Sequence, residues 1–142
     1  MKDFDKAIKF VLKWEGGYNW DKNDPGGETK FGISKRSYPE FDISKLTLKQ
    51  VKEIYYQNYW LKCDCDNLPY PFNICVFDTA INCGRSRAKK FLNVYNDWQD
   101  YLFRRIEYYA SLKSINAKKS LRGWINRTIS LYKEIKKNMK RR

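Results

Sequence analysis

The chain has 142 residues, enough for one domain of ordinary size, and 42% of them are apolar, which argues against a disordered chain. Its 29 Lys and Arg against 16 Asp and Glu give a net charge of +13, which indicates an anionic partner such as nucleic acid, an acidic membrane surface or an acidic cell wall. Histidine is absent, which excludes the usual Ser-His-Asp and Cys-His nucleophile systems and zinc hydrolases with histidine ligands, and carboxylates are the natural remaining choice.

The first predicted element is a helix over residues 3–14. Its apolar residues recur at helical spacing and predict one buried stripe, made by Phe4, Ala7, Ile8, Val11 and Leu12. Glu15 continues this stripe, and Gly16-Gly17 ends the helix. The pattern therefore predicts a carboxylate on the inward face of the last helical turn.

The segment from Tyr18 to Ser34 predicts a small antiparallel sheet. The turn residues Asp-Lys-Asn-Asp-Pro-Gly-Gly separate two short runs that contain aromatic and β-branched residues. We expect no other sheet in the chain.

The sequence that follows Ser34 predicts helices. Thr47 and Gln50 form a capping-box pattern that opens a helix with an inward face of Leu48, Val51, Ile54, Tyr55 and Tyr59. A helix from Pro71 to Gly84 is apolar nearly all round, as is typical of a buried central helix. Further helices are predicted near 86–95, 98–112 and 121–138. The fold class is therefore mainly α (α+β), with a small β element near the amino terminus.

Glu15 is the candidate acid of a carboxylate mechanism. Hydrolysis of a glycosidic bond needs an acid that protonates the leaving oxygen and a second group that handles water or the developing cation. Apolar neighbours and the negative end of a helix dipole both favour the neutral form of Glu15. The alternative is a helix-end glutamate that points into solvent.

Asp24 and Thr29 of the predicted hairpin are candidates to orient the attacking water. Asp24 could equally be a turn residue, and Thr29 a strand residue without a role. Tyr18, Trp20 and Phe31 are candidates for stacking on a sugar, or they form the core of the hairpin.

Two polar residues of the central helix, Asp78 and Asn82, lie one turn apart and are expected to share a face. They either cap or bond neighbouring backbone groups, or they project into the cleft and contact a sugar or brace the hairpin. Trp124 and Arg127 are expected to be a core aromatic residue and its partner rather than ligand contacts.

Three motifs together resemble glycoside hydrolase family 108, the phage and bacterial N-acetylmuramidases. They are Glu15-Gly-Gly-Tyr18 followed by Asp24-Pro-Gly-Gly-Glu-Thr29-Lys-Phe-Gly-Ile-Ser34, then Leu68-Pro69 with Val76–Gly84, then Gly123–Arg127. The first is long and specific in its spacing, and the other two occur in the expected order. In two departures from the pattern, Trp14 replaces a histidine that often precedes the glutamate, and Cys83 replaces a commoner serine or small polar residue.

The resemblance implies a lysozyme-like fold and hydrolysis of the β-1,4 bond between N-acetylmuramic acid and N-acetylglucosamine. Such hydrolysis would make the protein bacteriolytic, as endolysins are. The resemblance also implies that Glu15 is the acid and, by analogy with phage-type lysozymes, that Asp24 and Thr29 position water in an inverting reaction. We expect one domain over 1–142, with residues 1–84 as the catalytic part and residues 85–142 as a helical part of the peptidoglycan-binding type.

The expected partner is bacterial peptidoglycan, together with an acidic wall or outer-membrane surface, and the expected state is a monomer. We expect no cofactor, no metal, no nucleic acid and no transmembrane segment. Without a signal peptide, the protein is expected to be made in the cytoplasm and to act at the cell wall or periplasm after release or delivery. The alternatives are a basic nucleic-acid-binding domain and a wall-binding relative without catalysis.

Overall fold

The computed structural model describes residues 2–20, 23, 27–92 and 97–141. These residues form two compact units, which divide between Leu61 and Lys62. The predicted boundary at Gly84 between a catalytic and a helical part does not coincide with this division. The prediction that residues 1–84 act as one catalytic part stays a prediction.

The first unit begins with helix α1 (Lys2–Glu15), which buries the predicted stripe and also Phe10. A three-stranded antiparallel sheet follows, in the order β1 (Tyr18–Trp20), β2 (Glu28–Lys30) and β3 (Ile33–Ser34). A short 3₁₀ turn (Ile43–Lys45), helix α2 (Leu48–Tyr55) and a π-helical turn (Tyr56–Trp60) complete the unit.

Within the first unit, α1 packs against the π-helical turn that follows α2. The Phe4 ring packs edge-on against Tyr56 and Trp60, with ring centroids 5.0 and 5.4 Å apart. The capping box of α2 is present, because Thr47 accepts from the Gln50 amide and the Gln50 side chain accepts from the Thr47 amide. The inward position predicted for Leu48 is wrong: it is the first helical residue after the cap, and it is 47% exposed.

The second unit contains a 3₁₀ turn (Cys65–Asn67) and helices α3 (Phe72–Cys83), α4 (Arg85–Leu92), α5 (Trp98–Ser111) and α6 (Ile115–Lys140). Helix α3 is buried along eight consecutive residues, 73–80, and ends at Gly84, which has a φ of 94°. This confirms the predicted buried central helix. Helix α6 begins six residues earlier than predicted, because Ser114 caps it by accepting from the Ala117 amide.

In the part of the chain that the structure describes, no helix combines the length and the apolar character that crossing a membrane requires.

Candidate functional site

Glu15 is the last residue of α1, and its side chain is half-buried. The chain turns away from the helix at Gly16, whose φ of 69° is a left-handed conformation that glycine adopts without strain. The carboxyl group therefore extends from a helix whose preceding turns are anchored in the core by Ile8 and Val11, which are almost fully buried. This position agrees with the sequence prediction.

The sheet next to Glu15 presents different side chains on its two faces. Tyr18 pairs with Lys30, Asn19 with Thr29, and Thr29 in turn with Ser34. Because side chains alternate along a strand, Thr29 and its partners share one face and Tyr18 and Trp20 share the other. Thr29 and the two aromatic residues are therefore not neighbours on one surface.

Tyr18 and Trp20 are open to solvent, 47% and 60% exposed respectively, so they are not the core of the hairpin. The Tyr18 hydroxyl donates to a Glu28 carboxylate oxygen at 2.6 Å, and this hydrogen bond raises the pKa of the phenol. The bond fixes the direction of the exposed Tyr18 ring. Trp20 and Tyr18 thus provide aromatic surface of the kind that sugars stack on.

Strands β2 and β3 are joined by the two residues Phe31 and Gly32, with φ values of 50° and 82°. Two consecutive positive φ values are the signature of a type I′ hairpin turn, which matches the natural twist of paired strands. Phe31 is half-buried, and its carbonyl oxygen accepts from the Tyr55 hydroxyl at 2.7 Å. Phe31 thus takes part in building the turn, and its predicted sugar contact stays a prediction.

Gly32 lies directly against the candidate acid. A Cβ atom at this position would lie 2.9 Å from Oε2 of Glu15 and 2.4 Å from the hydroxyl oxygen of Tyr55, so any side chain here would force one or both groups to move. The Glu15 carboxyl and the Tyr55 hydroxyl therefore converge on the same point of the hairpin. Tyr55 is 2% exposed, so its ring is a fixed support for that contact.

Gly32 and Tyr55 are residues of this site that the sequence pattern does not reveal. Tyr55 was predicted only as an inward residue of α2, and Gly32 only as part of the Lys-Phe-Gly-Ile motif. The one available signal was the glycine in a two-residue turn between short strands. Asp24, predicted to orient water, lies outside the described residues.

The second unit contains a buried polar centre that joins α3, α5 and α6. Asp78 has no exposed side-chain surface, and its carboxylate accepts from Arg105 Nη1 at 2.7 Å and from Arg127 Nη2 at 2.8 Å. The sugar contact predicted for Asp78 is therefore wrong, because both oxygens are occupied inside the protein. Arg127, expected to be a core partner, is indeed buried.

Electrostatics keep the Asp78 carboxyl ionised. Burial alone would raise its pKa, but the guanidinium groups of Arg127 and Arg105 lower it below the ordinary value of 3.8. The Arg105 Nη2 atom is buried and has no hydrogen-bond partner among the described residues. The centre thus holds two cations against one anion.

Asn82 is half-buried one turn further along α3, and its amide oxygen accepts from the Tyr109 hydroxyl. The Tyr109 ring stacks on Trp124, with centroids 5.1 Å apart, and Trp124 is half-buried rather than part of the fully buried core. The sugar contact predicted for Asn82 stays a prediction, with its oxygen already engaged.

The remaining reactive groups offer no alternative catalytic centre among the described residues. All four cysteines are free, and burial raises the pKa of each thiol, so none is an activated nucleophile. No cluster of three or more cysteine and carboxylate side chains in the described ranges is arranged to hold a metal ion.

Comparison with known proteins confirms the fold. The structure of SagA from Brucella abortus superposes with a TM-score of 0.77, covering 93% of this chain and 92% of that chain at 24% sequence identity. The mainly helical, lysozyme-like fold predicted from the sequence is therefore confirmed. No curated protein sequence matches the chain.

The sequence profile described as glycosyl hydrolase 108 matches residues 8–84, which is more than half of the chain and includes Glu15 and Gly32. A match to this family of glycosyl hydrolases supports a glycosidase activity. The chain belongs to the glycosyl hydrolase 108 family.

Proposed function

We propose that the protein is a muramidase that hydrolyses the β-1,4 bond between N-acetylmuramic acid and N-acetylglucosamine in bacterial peptidoglycan. The observation that carries this proposal is the position of the Glu15 carboxyl group. Glu15 is the last residue of α1, and its carboxyl group lies beside Gly32, within the segment that matches the family. A half-buried carboxyl group held beside a hairpin turn can donate a proton to a sugar oxygen that lies within hydrogen-bond reach.

In the proposed reaction, Glu15 protonates the oxygen of the leaving sugar. A water molecule attacks the anomeric carbon; Asp24 and Thr29 orient it, and the Asp24 carboxylate accepts its proton. The leaving sugar receives the proton from Glu15, and the attacking water supplies the new hydroxyl, with inversion at the anomeric carbon. Because Thr29 faces away from Tyr18 and Trp20, the aromatic side chains contact a different part of the glycan strand.

The test is digestion of purified peptidoglycan by the full chain, with mass spectrometry of the products. Hydrolysis yields fragments with reducing muramic acid ends. Anhydro ends would instead identify a transglycosylase, and intact glycan strands would refute the proposal. Proton NMR of fresh product gives the anomeric configuration, and retained configuration would refute inversion.

The role of Glu15 is tested with Glu15→Gln, which keeps the shape of the side chain but removes the acid proton. We expect a loss of about 10²–10⁴-fold in rate. The matched control is Glu40→Gln, because Glu40 is an exposed carboxylate of the same unit. Equal activity of the two variants would assign the acid to another residue.

Peptidoglycan lies outside the cytoplasm, so this function requires that the protein reach the cell wall by release or delivery. We propose the wall as its place of action.

A further inference from the structure

An apolar groove lies between α5 and α6 of the second unit. It has a volume of about 310 Å³ and is lined mainly by apolar side chains, namely Leu102, Phe103 and Ile106 of α5 with Ile129 and Tyr132 of α6. Phe103 is 64% exposed and Ile129 42% exposed. Part of the apolar lining of the groove is therefore open to solvent.

The groove continues into a cluster of positive charge at the end of α6. A second cavity, of about 490 Å³, is lined by Tyr132 and by five cationic residues, here called the cationic cluster: Lys133, Lys136, Lys137, Lys140 and Arg141. Tyr132 lines both cavities, so the apolar and cationic surfaces meet at its ring.

The cationic cluster is not neutralised within its own unit. Among the described residues of the second unit, none of the five side chains makes an ion pair, and Glu134 is the only acidic residue of α6. Ile129, Tyr132, Lys136 and Lys140 follow helical spacing and therefore lie along one face. From Ile129 to Arg141 this face is about 18 Å long at 1.5 Å per residue.

We propose that this face binds the surface of a bilayer that contains anionic phospholipids. The phosphate groups bind the cationic cluster, and the acyl-chain region receives Phe103, Ile129 and Tyr132. An anionic polymer such as a nucleic acid would neutralise the lysines but leave the apolar groove in water. An amphiphilic anion matches both halves of the surface, and a helix of this kind lies in the interface rather than crossing the membrane.

The test is co-sedimentation of the full chain with vesicles of phosphatidylcholine alone or with 30% phosphatidylglycerol. We expect binding only to the anionic vesicles. Changing Lys133, Lys136, Lys137 and Lys140 to Gln should weaken binding at least tenfold, since each cation near an anionic surface adds several-fold to affinity. The matched control removes four exposed charges in the first turns of α6 and just before it: Lys113, Lys118, Lys119 and Arg122 changed to Gln. This control should bind within about threefold of the unchanged protein.

The contribution of the groove is tested with Phe103→Ser combined with Ile129→Ser, which leaves the net charge unchanged. We expect at least fivefold weaker binding to the anionic vesicles, because buried apolar area is lost. Phe103→Ser alone replaces the double variant if circular dichroism shows that the latter does not fold. Absence of vesicle binding by the unchanged protein would refute the proposal. Unchanged binding by the serine variant, or complete displacement by soluble polyphosphate, would identify a polyanion site instead.

Discussion

The contact between Gly32 and Glu15 gives the sharpest test of the site, through the substitution Gly32→Ala. The added methyl group would meet the Tyr55 hydroxyl at 2.4 Å and the Glu15 carboxyl at 2.9 Å, in a residue whose φ is 82°. A left-handed conformation costs a residue with a side chain about 1–2 kcal/mol. Displacing Tyr55 also breaks its hydrogen bond to the Phe31 carbonyl, which adds about 1–3 kcal/mol because the groups are partly buried. The sum predicts a loss of about 2–5 kcal/mol in the free energy of unfolding.

The matched control is Gly27→Ala. Gly27 has a φ of 68° but open space around the position of a Cβ atom, so its substitution carries the backbone strain alone. The free energies of unfolding of both variants, measured with urea, separate the cost of backbone strain from the cost of the steric clash with Tyr55 and Glu15. Peptidoglycan digestion should show that Gly32→Ala also loses about ten- to a hundredfold in rate, because the Glu15 carboxyl must move away from the methyl group.

A double variant tests the geometry directly. Tyr55→Phe removes the atom at 2.4 Å, so Gly32→Ala combined with Tyr55→Phe should be no less stable than Gly32→Ala alone. Strict additivity of the two unfolding free energies would refute the reasoning. So would equal stability losses in the Gly32 and Gly27 variants.

Three further predictions follow from the charges and exposed groups. Asp78→Asn should reduce the free energy of unfolding by about 3–5 kcal/mol, because it leaves two buried guanidinium groups without an anion. Folding lowers the pKa of Asp78, so the ionised carboxylate contributes its full stability above about pH 5, and this stability is lost as pH falls below the ordinary pKa of 3.8. The free energies of unfolding of the unchanged protein and of Asp78→Asn, measured with urea, should therefore converge in acid. Trp20→Ala should raise KM about two- to tenfold, because an exposed aromatic ring that stacks on the sugar is lost. Its free energy of unfolding should change by less than about 0.5 kcal/mol, because the ring is exposed. An unchanged KM would show that Trp20 does not contact the substrate. Asp24→Asn should reduce kcat less than Glu15→Gln does, and an equal loss would indicate a nucleophile.

The helices and the sheet were predictable because their signals are local. The stripe of α1 and the capping box of Thr47 both act within a few residues of chain. The start of α6 was missed because Ser114 is an ordinary cap that precedes polar residues, and the apolar stripe becomes regular only near Leu121.

The candidate site was predictable only in part. Glu15 was identified because it extends a local stripe. The residues around Glu15 could not be predicted, because Tyr55 bonds to Phe31 across a sequence separation of 24 residues, and only the folded chain brings α2 to the hairpin. Asp78 was misassigned for the same reason: its arginine partners lie 27 and 49 residues further along the chain, and no short-range pattern pairs them.

The polar centre of the second unit also constrains how the sequence can change. One anion serves two guanidinium groups, so replacing Asp78 leaves two uncompensated cations inside the protein, whereas replacing one arginine leaves the other paired with Asp78. Replacing all three together with apolar residues of similar volume removes that penalty, and such exchanges are often neutral or stabilising. A relative that lacks the aspartate is therefore expected to lack both arginines as well, whereas a relative that keeps the aspartate needs only one of them.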